Sequence, residues 1–262
     1  MIPKYIHFMW LDKKDPYKRG YPDKYKDNIQ AWADLNPDAK VIMWNYSDIE
    51  REFPDYMDHI RRIPVWISKC DLSRFLVLQK YGGIYFDMDF IPLRPLDSTI
   101  YDRDILIVQE PEEHTNYGEK GRIFNGVVGS SPNHPFISGW ISEIIHTIDT
   151  VSSFDWNVMT TTGPTAFYNY YDNNWRSALN IDPKEFCMFV PVVRPVRNNS
   201  MNTSYIKDEC ASIEPFCYTS WEDGTDWYKD LPYKNAKLVF ILITLLVLTG
   251  AVYWILRKPK RR

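Results

Sequence analysis

The chain has 262 residues, 45% of them hydrophobic and 25% charged, a balance typical of a globular protein with one sizeable domain or two small ones. Its formal net charge of −3 gives no global basic field of the kind that sequence-independent nucleic-acid binding needs, so we expect no nucleic-acid partner. The four cysteines are too few for a disulfide scaffold and lack a paired zinc spacing, and Cys210 and Cys217 are as compatible with free thiols as with a bridge.

The first part of the chain predicts a strand, a helix and a second strand. Residues 2–10 are rich in β-favouring side chains and predict an opening strand, in which we expect His7 to be a core residue with satisfied hydrogen bonds. Residues 11–16 are polar and end in proline, so they predict a loop. A helix is expected over residues 25–35 and a strand over 40–45, and this order predicts a βαβ unit with a parallel sheet.

Residues 68–81 predict the next helix, because their leucines form an apolar face and Ser68 can cap the start. The Gly82-Gly83 pair is expected to end this helix, since glycine favours the position just after a helix. Residues 84–86 then predict a short buried strand. The remaining predictions are a strand over 105–109 and a helix over 133–147, whereas residues 151–195 show no clear pattern.

Two aspartates, Asp87 and Asp89, follow the short buried strand. In an extended segment, residues two apart point the same way, so both carboxylates can address one centre while Met88 faces the opposite side. Paired carboxylates make a hard, oxygen-rich site suited to Mn²⁺ or Mg²⁺, which keeps open positions for phosphate oxygens. The spacing therefore predicts a divalent-cation site that neutralises a leaving diphosphate, with an ordinary acidic turn as the alternative.

Asp71 and Arg74 lie three residues apart on the preceding helix, so they share one of its faces. One interpretation is a carboxylate for sugar hydroxyls beside a guanidinium for sugar or phosphate oxygens. The alternative is an ordinary intrahelical ion pair, worth roughly a few tenths of a kcal/mol. The Gly82-Gly83 turn brings the end of this helix close to the strand that carries Asp87, which favours the functional interpretation.

Residues 238–256 are almost wholly apolar, and about 20 helical residues suffice to cross the hydrocarbon core of a membrane. They predict one C-terminal transmembrane helix, with a catalytic domain over residues 1–230, a juxtamembrane linker over 231–237 and a basic tail over 257–262. The basic tail favours a luminal domain by the positive-inside rule. No N-terminal signal is visible, which favours a tail anchor with a cytosolic domain, and we prefer this second orientation.

The central segment carries a family resemblance through Asp71, Arg74 and the run Tyr-Gly-Gly-Ile-Tyr-Phe-Asp-Met-Asp of residues 81–89, together with residues 2–10. In these residues the chain resembles the DXD-containing glycosyltransferase family 32, which includes the yeast mannosyltransferases that initiate outer-chain glycans and the inositol-phosphoceramide mannosyltransferases. It is more distantly similar to the glucosylating clostridial toxins. Weaker matches follow at Asn125-Gly126, at residues 131–136 and at Thr162-Gly163-Pro164.

The resemblance implies a GT-A fold, which is an α/β structure with a Rossmann-like mixed sheet flanked by helices. It also implies a nucleotide-sugar donor, a divalent cation (Mn²⁺ or Mg²⁺) and retention of anomeric configuration. By position, Trp10 would stack on or near the base, with a plain core aromatic as the alternative.

The resemblance also assigns roles within the central segment. Asp71 and Arg74 would hold the donor sugar, and Tyr85 belongs to the same donor site. Asp87 would reach the ribose, the sugar and, through water, the metal, whereas Asp89 would bind the metal directly. The resemblance thus names Asp71, Arg74 and Asp87 as the catalytic residues.

One departure from the family pattern falls near the predicted membrane span. Mannosyltransferases of the family often end in Tyr-x-x-His-His-(four residues)-Trp, whose histidine helps to bind the metal, and Glu222 takes a histidine place here. A carboxylate is a competent Mn²⁺ or Mg²⁺ ligand, so we expect Glu222 and Thr225 to complete the metal site and Trp227 to contact the donor. The alternative is a solvated linker, and the substitution leaves the identity of the transferred sugar open.

These observations predict a membrane-anchored, metal-dependent, retaining glycosyltransferase that moves a hexose from UDP- or GDP-hexose to a glycan, lipid or protein hydroxyl. One alternative is an inactive module of the same fold that binds sugars or nucleotides. The other is a metal-dependent phosphotransferase, which would use paired aspartates but would not need Asp71 and Arg74 at their helical spacing.

Overall fold

The computed structural model describes residues 1–12, 14–109 and 123–179, together with the backbone of residues 190–191 and 212–214. The strands are β1 (Tyr5–Met9), β2 (Lys40–Trp44), β3 (Gly83–Phe86), β4 (Ile91–Pro92), β5 (Ile105–Gln109), β6 (Ile123–Ser130), β7 (Val190–Pro191) and β8 (Ser212–Glu214). The α-helices are α1 (Lys26–Leu35), α2 (Tyr46–Glu52), α3 (Met57–Arg62), α4 (Trp66–Tyr81), α5 (Pro135–Thr150), α6 (Val158–Thr161) and α7 (Pro164–Asn174).

The main sheet has five strands in the order β2-β1-β3-β6-β5. Strands β2, β1 and β3 run parallel, whereas β6 is antiparallel to both β3 and β5. The predicted βαβ unit is therefore confirmed as β1-α1-β2, and the predicted mixed sheet with flanking helices is confirmed. A second, smaller sheet has the order β4-β8-β7 and begins two residues after Asp89.

Two apolar cores lie on opposite faces of the main sheet, because successive strand residues point to opposite sides. Ile6 and Phe8 of β1 pack in the core that includes Trp32 of α1. Met9 of the same strand belongs to the other core, which α4, α5 and α7 share. Helix α4 is thus packed between the sheet and α5, and its polar residues on the buried side need partners of their own.

Helix α4 begins at Trp66, two residues earlier than predicted, with Val65 as its N-cap. The expectation that Ser68 caps this helix is wrong: Ser68 lies inside the first turn and its side chain is fully buried. The glycine stop is confirmed, because Gly82 has φ of 63° and a Cβ there would lie 2.7 Å from Ser130 O. No other residue fits this turn without moving the backbone.

His7 confirms the prediction of a satisfied core histidine. Its Nε2 lies 2.8 Å from Gly82 O, and Trp44 Nε1 lies 3.0 Å from its Nδ1. Because the indole N–H can only donate, Nδ1 accepts, and the proton of the neutral ring sits on Nε2, which donates to Gly82 O. Burial lowers the pKa of His7 to about 4, so the neutral ring is the stable form at pH 7.

The sequence did not predict the eight-residue strand β6 or helices α2, α3, α6 and α7. No helix in the described ranges is long and apolar enough to cross a membrane. The predicted span over residues 238–256, the linker over 231–237 and the tail over 257–262 lie outside those ranges, as do Cys210 and Cys217.

Candidate active site

Of the predicted site residues that the structure describes, Trp10, Asp87 and Asp89 follow strands that end at one edge of the main sheet. Strands β1 and β3 are parallel neighbours in the register Ile6–Ile84 and His7–Tyr85. Their carboxyl ends therefore meet at the same edge, where Trp10 follows β1 and Asp87 follows β3. In open α/β sheets ligands bind in the crevice at this edge.

Trp10 is half-buried and packs against Tyr25, with ring centroids 6.0 Å apart. Its backbone N–H donates to Trp44 O at 2.9 Å, which extends the pairing of β1 and β2 by one residue. The remaining exposure leaves part of the indole available to a flat ligand, so stacking against a base stays a prediction.

Asp87 and Asp89 are half-buried on either side of the buried Met88. The expectation of an extended segment is wrong here, because strand β3 ends at Phe86 and the next residues form a turn closed by Phe90 N–H donating to Asp87 O at 3.2 Å. The two carboxylates nevertheless lie close enough that the charge of Asp87 acts on Asp89. That both carboxylates address one centre stays a prediction.

Helix α1 holds the backbone of this turn. Asn28 Nδ2 donates to Met88 O at 2.8 Å and to Phe90 O at 2.7 Å, so one amide group bonds both neighbours of Asp89. Trp32 Nε1 also donates to Phe90 O, at 2.8 Å. These bonds fix where the backbone presents the Asp89 carboxylate, and the sequence had given no sign of them.

Arg74 joins α4 to the end of β3. Its Nη2 lies 3.0 Å from Asp71 Oδ1, its Nη1 lies 3.0 Å from Asp87 Oδ1, and Nη1 also donates to Asn125 O at 2.9 Å. The side chains of Arg74 and Asp71 are only 5% and 4% exposed. Asp71 and Arg74 therefore do form an intrahelical ion pair. This ion pair is buried, and Arg74 also pairs with Asp87.

Tyr85 and Gly126 complete the surroundings of Asp87. The Tyr85 hydroxyl donates to Asp87 Oδ1 at 2.9 Å, and the Arg74 guanidinium stands 4.5 Å above the Tyr85 ring. A Cβ on Gly126 would lie 2.7 Å from Asp87 Oδ2 and closer still to the Phe124 ring. A larger residue at this position would require the Phe124 ring and the Asp87 carboxylate to move. Tyr85 is 2% exposed, and its direct contact with a donor stays a prediction.

Asp71 is also held by strand β6 and the α6–α7 junction. Thr162 Oγ1 lies 2.8 Å from Asp71 Oδ2, and Asn125 Nδ2 donates to Asp71 Oδ1 at 3.4 Å. With Arg74, these contacts occupy three of the roughly four positions at which a carboxylate accepts hydrogen bonds. Asn125 and Thr162 lie in the segments of weaker family resemblance, which was the only sequence signal for them.

The electrostatics of the site favour an added cation. Among the described residues, the three carboxylates of Asp71, Asp87 and Asp89 face the guanidinium of Arg74, and the charge of Lys24 also acts on Asp89, so negative charges outnumber positive ones. Burial and then the charge of Asp87 raise the pKa of Asp89 to about 7, and burial raises the pKa of Asp71 to about 6 against the opposing charge of Arg74. Burial alone would lower the pKa of Arg74, but the negative charges around it raise that pKa. A divalent cation fits this excess in charge and in its preference for oxygen ligands.

The described residues do not supply a full set of metal ligands. They contain no cluster of three or more His, Cys, Asp or Glu side chains that could hold a metal ion. The further ligands predicted from the sequence, Glu222 and Thr225, and the predicted donor contact Trp227 lie outside the described residues.

Residues 22–106 match a protein-family model described as a glycosyltransferase sugar-binding region containing a DXD motif. The chain is related to the DXD-containing glycosyltransferases. This confirms the predicted resemblance, and the matched stretch contains Asp71, Arg74, Tyr85, Asp87 and Asp89.

Several proteins with names of their own are similar to the chain. A mannosyl phosphorylinositol ceramide synthase of Saccharomyces cerevisiae is 30% identical over 56% of this chain and 35% of its own length. Inositol phosphoceramide mannosyltransferase 2 of Schizosaccharomyces pombe is 24% identical over 93% of this chain and 64% of its own length. An uncharacterized glycosyltransferase of Acanthamoeba polyphaga mimivirus is 25% identical over 97% of each protein. The names of these relatives agree with the predicted class of enzyme.

The chain spans only 35% and 64% of the length of the first two relatives. Among solved structures, the catalytic domain of alpha-toxin from Clostridium novyi has a TM-score of 0.41 and 11% identity, over 69% of this chain and 65% of that one. This similarity is too low to support an argument about the site.

Proposed function

We propose that the chain is a metal-dependent, retaining glycosyltransferase of GT-A type that moves a hexose from a nucleotide diphosphate donor to a hydroxyl of a glycan, lipid or protein. The observation that carries the proposal is the bridge from Asp71 through Arg74 to Asp87, two residues before Asp89. It puts a hydroxyl-accepting carboxylate, a fixed positive charge and a pair of metal-binding carboxylates in one place. Each of these groups has a separate part in binding a nucleotide-sugar.

Asp87 and Asp89 would hold Mn²⁺ or Mg²⁺, which when bound neutralises the charge of the leaving diphosphate. The chain's own residues fix where this happens: Tyr85 and Arg74 hold Asp87 Oδ1, and Asn28 holds the backbone around Asp89. We propose that Glu222 and Thr225 add ligands and that Trp227 contacts the donor. The pairing of strands β4 and β8 supports this. Ile213 lies opposite Ile91, which is two residues after Asp89, and the nine residues from Ile213 to Glu222 can extend about 30 Å at most.

One nitrogen of Arg74, Nε, has no hydrogen-bond partner in the described part of the chain and could serve the substrate. This Nε is buried, although burying an unbonded donor costs free energy. A sugar hydroxyl or phosphate oxygen would satisfy it. Asp71 keeps about one free acceptor position, which suits a single sugar hydroxyl.

The transfer itself needs no nucleophile from the protein. The acceptor hydroxyl attacks the anomeric carbon on the face from which the diphosphate departs, the bond from that carbon to the phosphate oxygen breaks, and the acceptor proton passes to the departing oxygen. Configuration is then retained. The buried charge of Arg74 is already oriented before the diphosphate forms, and such preorganised charge stabilises a transition state without reorganisation.

The names of the relatives suggest which substrates to test first. Two of them are named for mannosyl transfer to inositol phosphoceramide, so we propose GDP-mannose as the first donor and a lipid hydroxyl as the first acceptor. Glu222 stands where mannosyltransferases of the family often have histidine, so glucosyl and galactosyl donors belong in the same panel. We also propose that residues 238–256 anchor the domain in a membrane, with the domain in the cytosol.

The test is a panel of UDP- and GDP-hexoses with Mn²⁺, scored for donor hydrolysis and for transfer to inositol phosphoceramide. We expect one donor to be hydrolysed in a metal-dependent way, and an α-configured donor to give an α-configured product. Hydrolysis of no donor would support the inactive binding module, and transfer of phosphate instead of sugar would support the phosphotransferase.

A further inference from the structure

A series of linked, buried hydrogen bonds ends at Asp71 Oδ2, whereas Arg74 contacts Oδ1 of the same carboxylate. Trp156 Nε1 lies 3.1 Å from Ser68 Oγ, Ser68 Oγ lies 2.8 Å from Thr162 Oγ1, and Thr162 Oγ1 lies 2.8 Å from Asp71 Oδ2. All four side chains are buried, with Ser68 and Thr162 fully enclosed. The family resemblance and the proposed function leave Trp156, Ser68 and Thr162 without a role.

The donor and the acceptor of each hydrogen bond in this series can be assigned from the chemistry of the four side chains. Asp71 pairs with Arg74, so its carboxylate accepts, and the single hydroxyl proton of Thr162 goes to Asp71 Oδ2. Thr162 Oγ1 must then accept from Ser68. The Trp156 indole N–H can only donate, so it supplies the bond that Ser68 Oγ accepts. One arrangement satisfies all four groups, and it aims a donor at Asp71 permanently.

The local fold places Thr162 where this bond requires it. Helix α6 ends at Thr161, Gly163 is the N-cap of helix α7, and α7 begins at Pro164. A Cβ on Gly163 would lie 2.7 Å from Val158 O, so glycine is needed for the two helices to meet this closely. Proline is favoured at the first position of a helix. The Thr-Gly-Pro sequence thus fixes the backbone that carries Thr162.

We infer that Thr162, oriented by Ser68 and Trp156, is a positioning residue that holds the Asp71 carboxylate for a donor-sugar hydroxyl. Thr162 occupies one position on Oδ2, while Arg74 and Asn125 occupy Oδ1. The remaining acceptor position of Asp71 then has one fixed direction. The part that concerns the sugar rests on the proposed function, whereas the hold of Thr162 on Asp71 does not.

Three variants separate this role from simple packing. Thr162→Val keeps the shape and removes the hydroxyl, and Thr162→Ser keeps the hydroxyl. Thr161→Val is the matched control, because Thr161 is also buried but its hydroxyl donates to Asn157 O, away from Asp71. We expect Thr162→Val to raise the KM for the donor by roughly tenfold, the worth of a hydrogen bond to a charged group, with the Mn²⁺ requirement unchanged. Thr162→Ser should restore most of the affinity, and Thr161→Val should leave it unchanged.

A second pair of variants tests the same role if Thr162→Val does not fold. Trp156→Phe deletes the N–H that directs this series of hydrogen bonds, and Trp175→Phe deletes an N–H that donates to the Tyr170 hydroxyl outside the site. We expect the KM for the donor to rise for Trp156→Phe alone.

A double-mutant cycle of Thr162→Val with Asp71→Asn tests the bond without an activity assay, because it is measured by urea unfolding. Non-additive free energies of unfolding would support the hold of Thr162 on Asp71, and additive ones would overturn it. If the free energies are non-additive but Thr162→Val has the same KM for the donor as Thr161→Val, the positioning role is overturned, because the bond then serves folding only. A wild-type protein that hydrolyses no donor would contradict the proposed function, while the cycle would still decide the Thr162–Asp71 bond.

Discussion

Arg74 Nη1 lies 3.0 Å from Asp87 Oδ1, and the same guanidinium lies 3.0 Å from Asp71 Oδ1. One planar cation therefore holds a carboxylate on helix α4 and another just beyond strand β3. A lysine carries the same charge at a single point and cannot form this fork. The relative positions of the two carboxylates thus depend on the forked shape of the arginine guanidinium as well as on its positive charge.

We expect Arg74→Lys to lower donor turnover by at least about 100-fold, because misplacing charged groups in a closed site is costly. Steady-state kinetics with the preferred donor measures this. Arg51→Lys is the control, since Arg51 also pairs with an aspartate three residues away but on the exposed surface. Similar activities for the two variants would show that the fork has no role in catalysis.

Asp89→Asn should separate activity from stability. The charge of Asp87 acts unfavourably on Asp89, so removing one carboxylate relieves a repulsion in the metal-free protein. We expect the free energy of unfolding in EDTA to rise by about 1 kcal/mol while activity is lost, a trade-off common at functional sites. Urea unfolding beside the exposed Asp102→Asn variant checks this, and a destabilised Asp89→Asn protein would contradict it.

Asn28 should matter to the metal although it is not a proposed ligand. It bonds the carbonyls on both sides of Asp89, and groups that orient ligands in this way are worth roughly 10- to 100-fold in metal affinity. We expect Asn28→Ala to weaken Mn²⁺ binding by about tenfold in calorimetric titrations. Gln30→Ala, on the same helix but bonded to the exposed Asp34, should bind Mn²⁺ as the wild type does.

His7 gives the fold a predictable dependence on pH. Its pKa is about 4 in the folded protein against 6.5 for an unburied histidine, so between these values the unfolded chain binds a proton that the folded one does not. The stability from His7 is complete above pH 6.5 and is lost as the pH falls towards 4, by about 3 kcal/mol in total.

We expect His7→Gln to flatten the fall in unfolding free energy between pH 6.5 and 4, since glutamine can keep both hydrogen bonds without titrating. Chemical unfolding at several pH values measures the slope, with the exposed His146→Gln as the control. An unchanged slope in His7→Gln would mean that His7 is protonated in the folded state.

Local patterns were enough to predict the centre of the site. The helix before the site, the glycine stop and the short strand before Asp87 can be predicted from neighbouring residues, and the structure confirms each of them. The expectation of a single apolar face on α4 is wrong, because every residue from Asp71 to Leu78 is buried, the polar ones included. Strand β6 escaped prediction because its glycines mask its β character. A Cβ on Gly126 would displace the Phe124 ring and the Asp87 carboxylate, and a Cβ on Gly129 would lie 3.1 Å from Leu106 and 3.2 Å from Ile84. Close packing therefore outweighs propensity in this strand.

The residues that position the site could not be predicted from local sequence. Thr162 meets Asp71 across 91 residues, and Asn28 meets Phe90 across 62. Ser68 even suggested a different role, because serine near a helix start resembles a cap. Such partners depend on the packing of distant elements, which periodicity does not describe.

The central claim is that Asp87 and Asp89 together hold a divalent cation. Electron paramagnetic resonance titration of Mn²⁺ in the presence of the nucleoside diphosphate tests it most directly. We expect the wild-type protein to bind Mn²⁺ and folded Asp87→Asn and Asp89→Asn proteins to bind it far more weakly. Wild-type affinity in both variants would show that the cation, if the protein uses one, is held elsewhere.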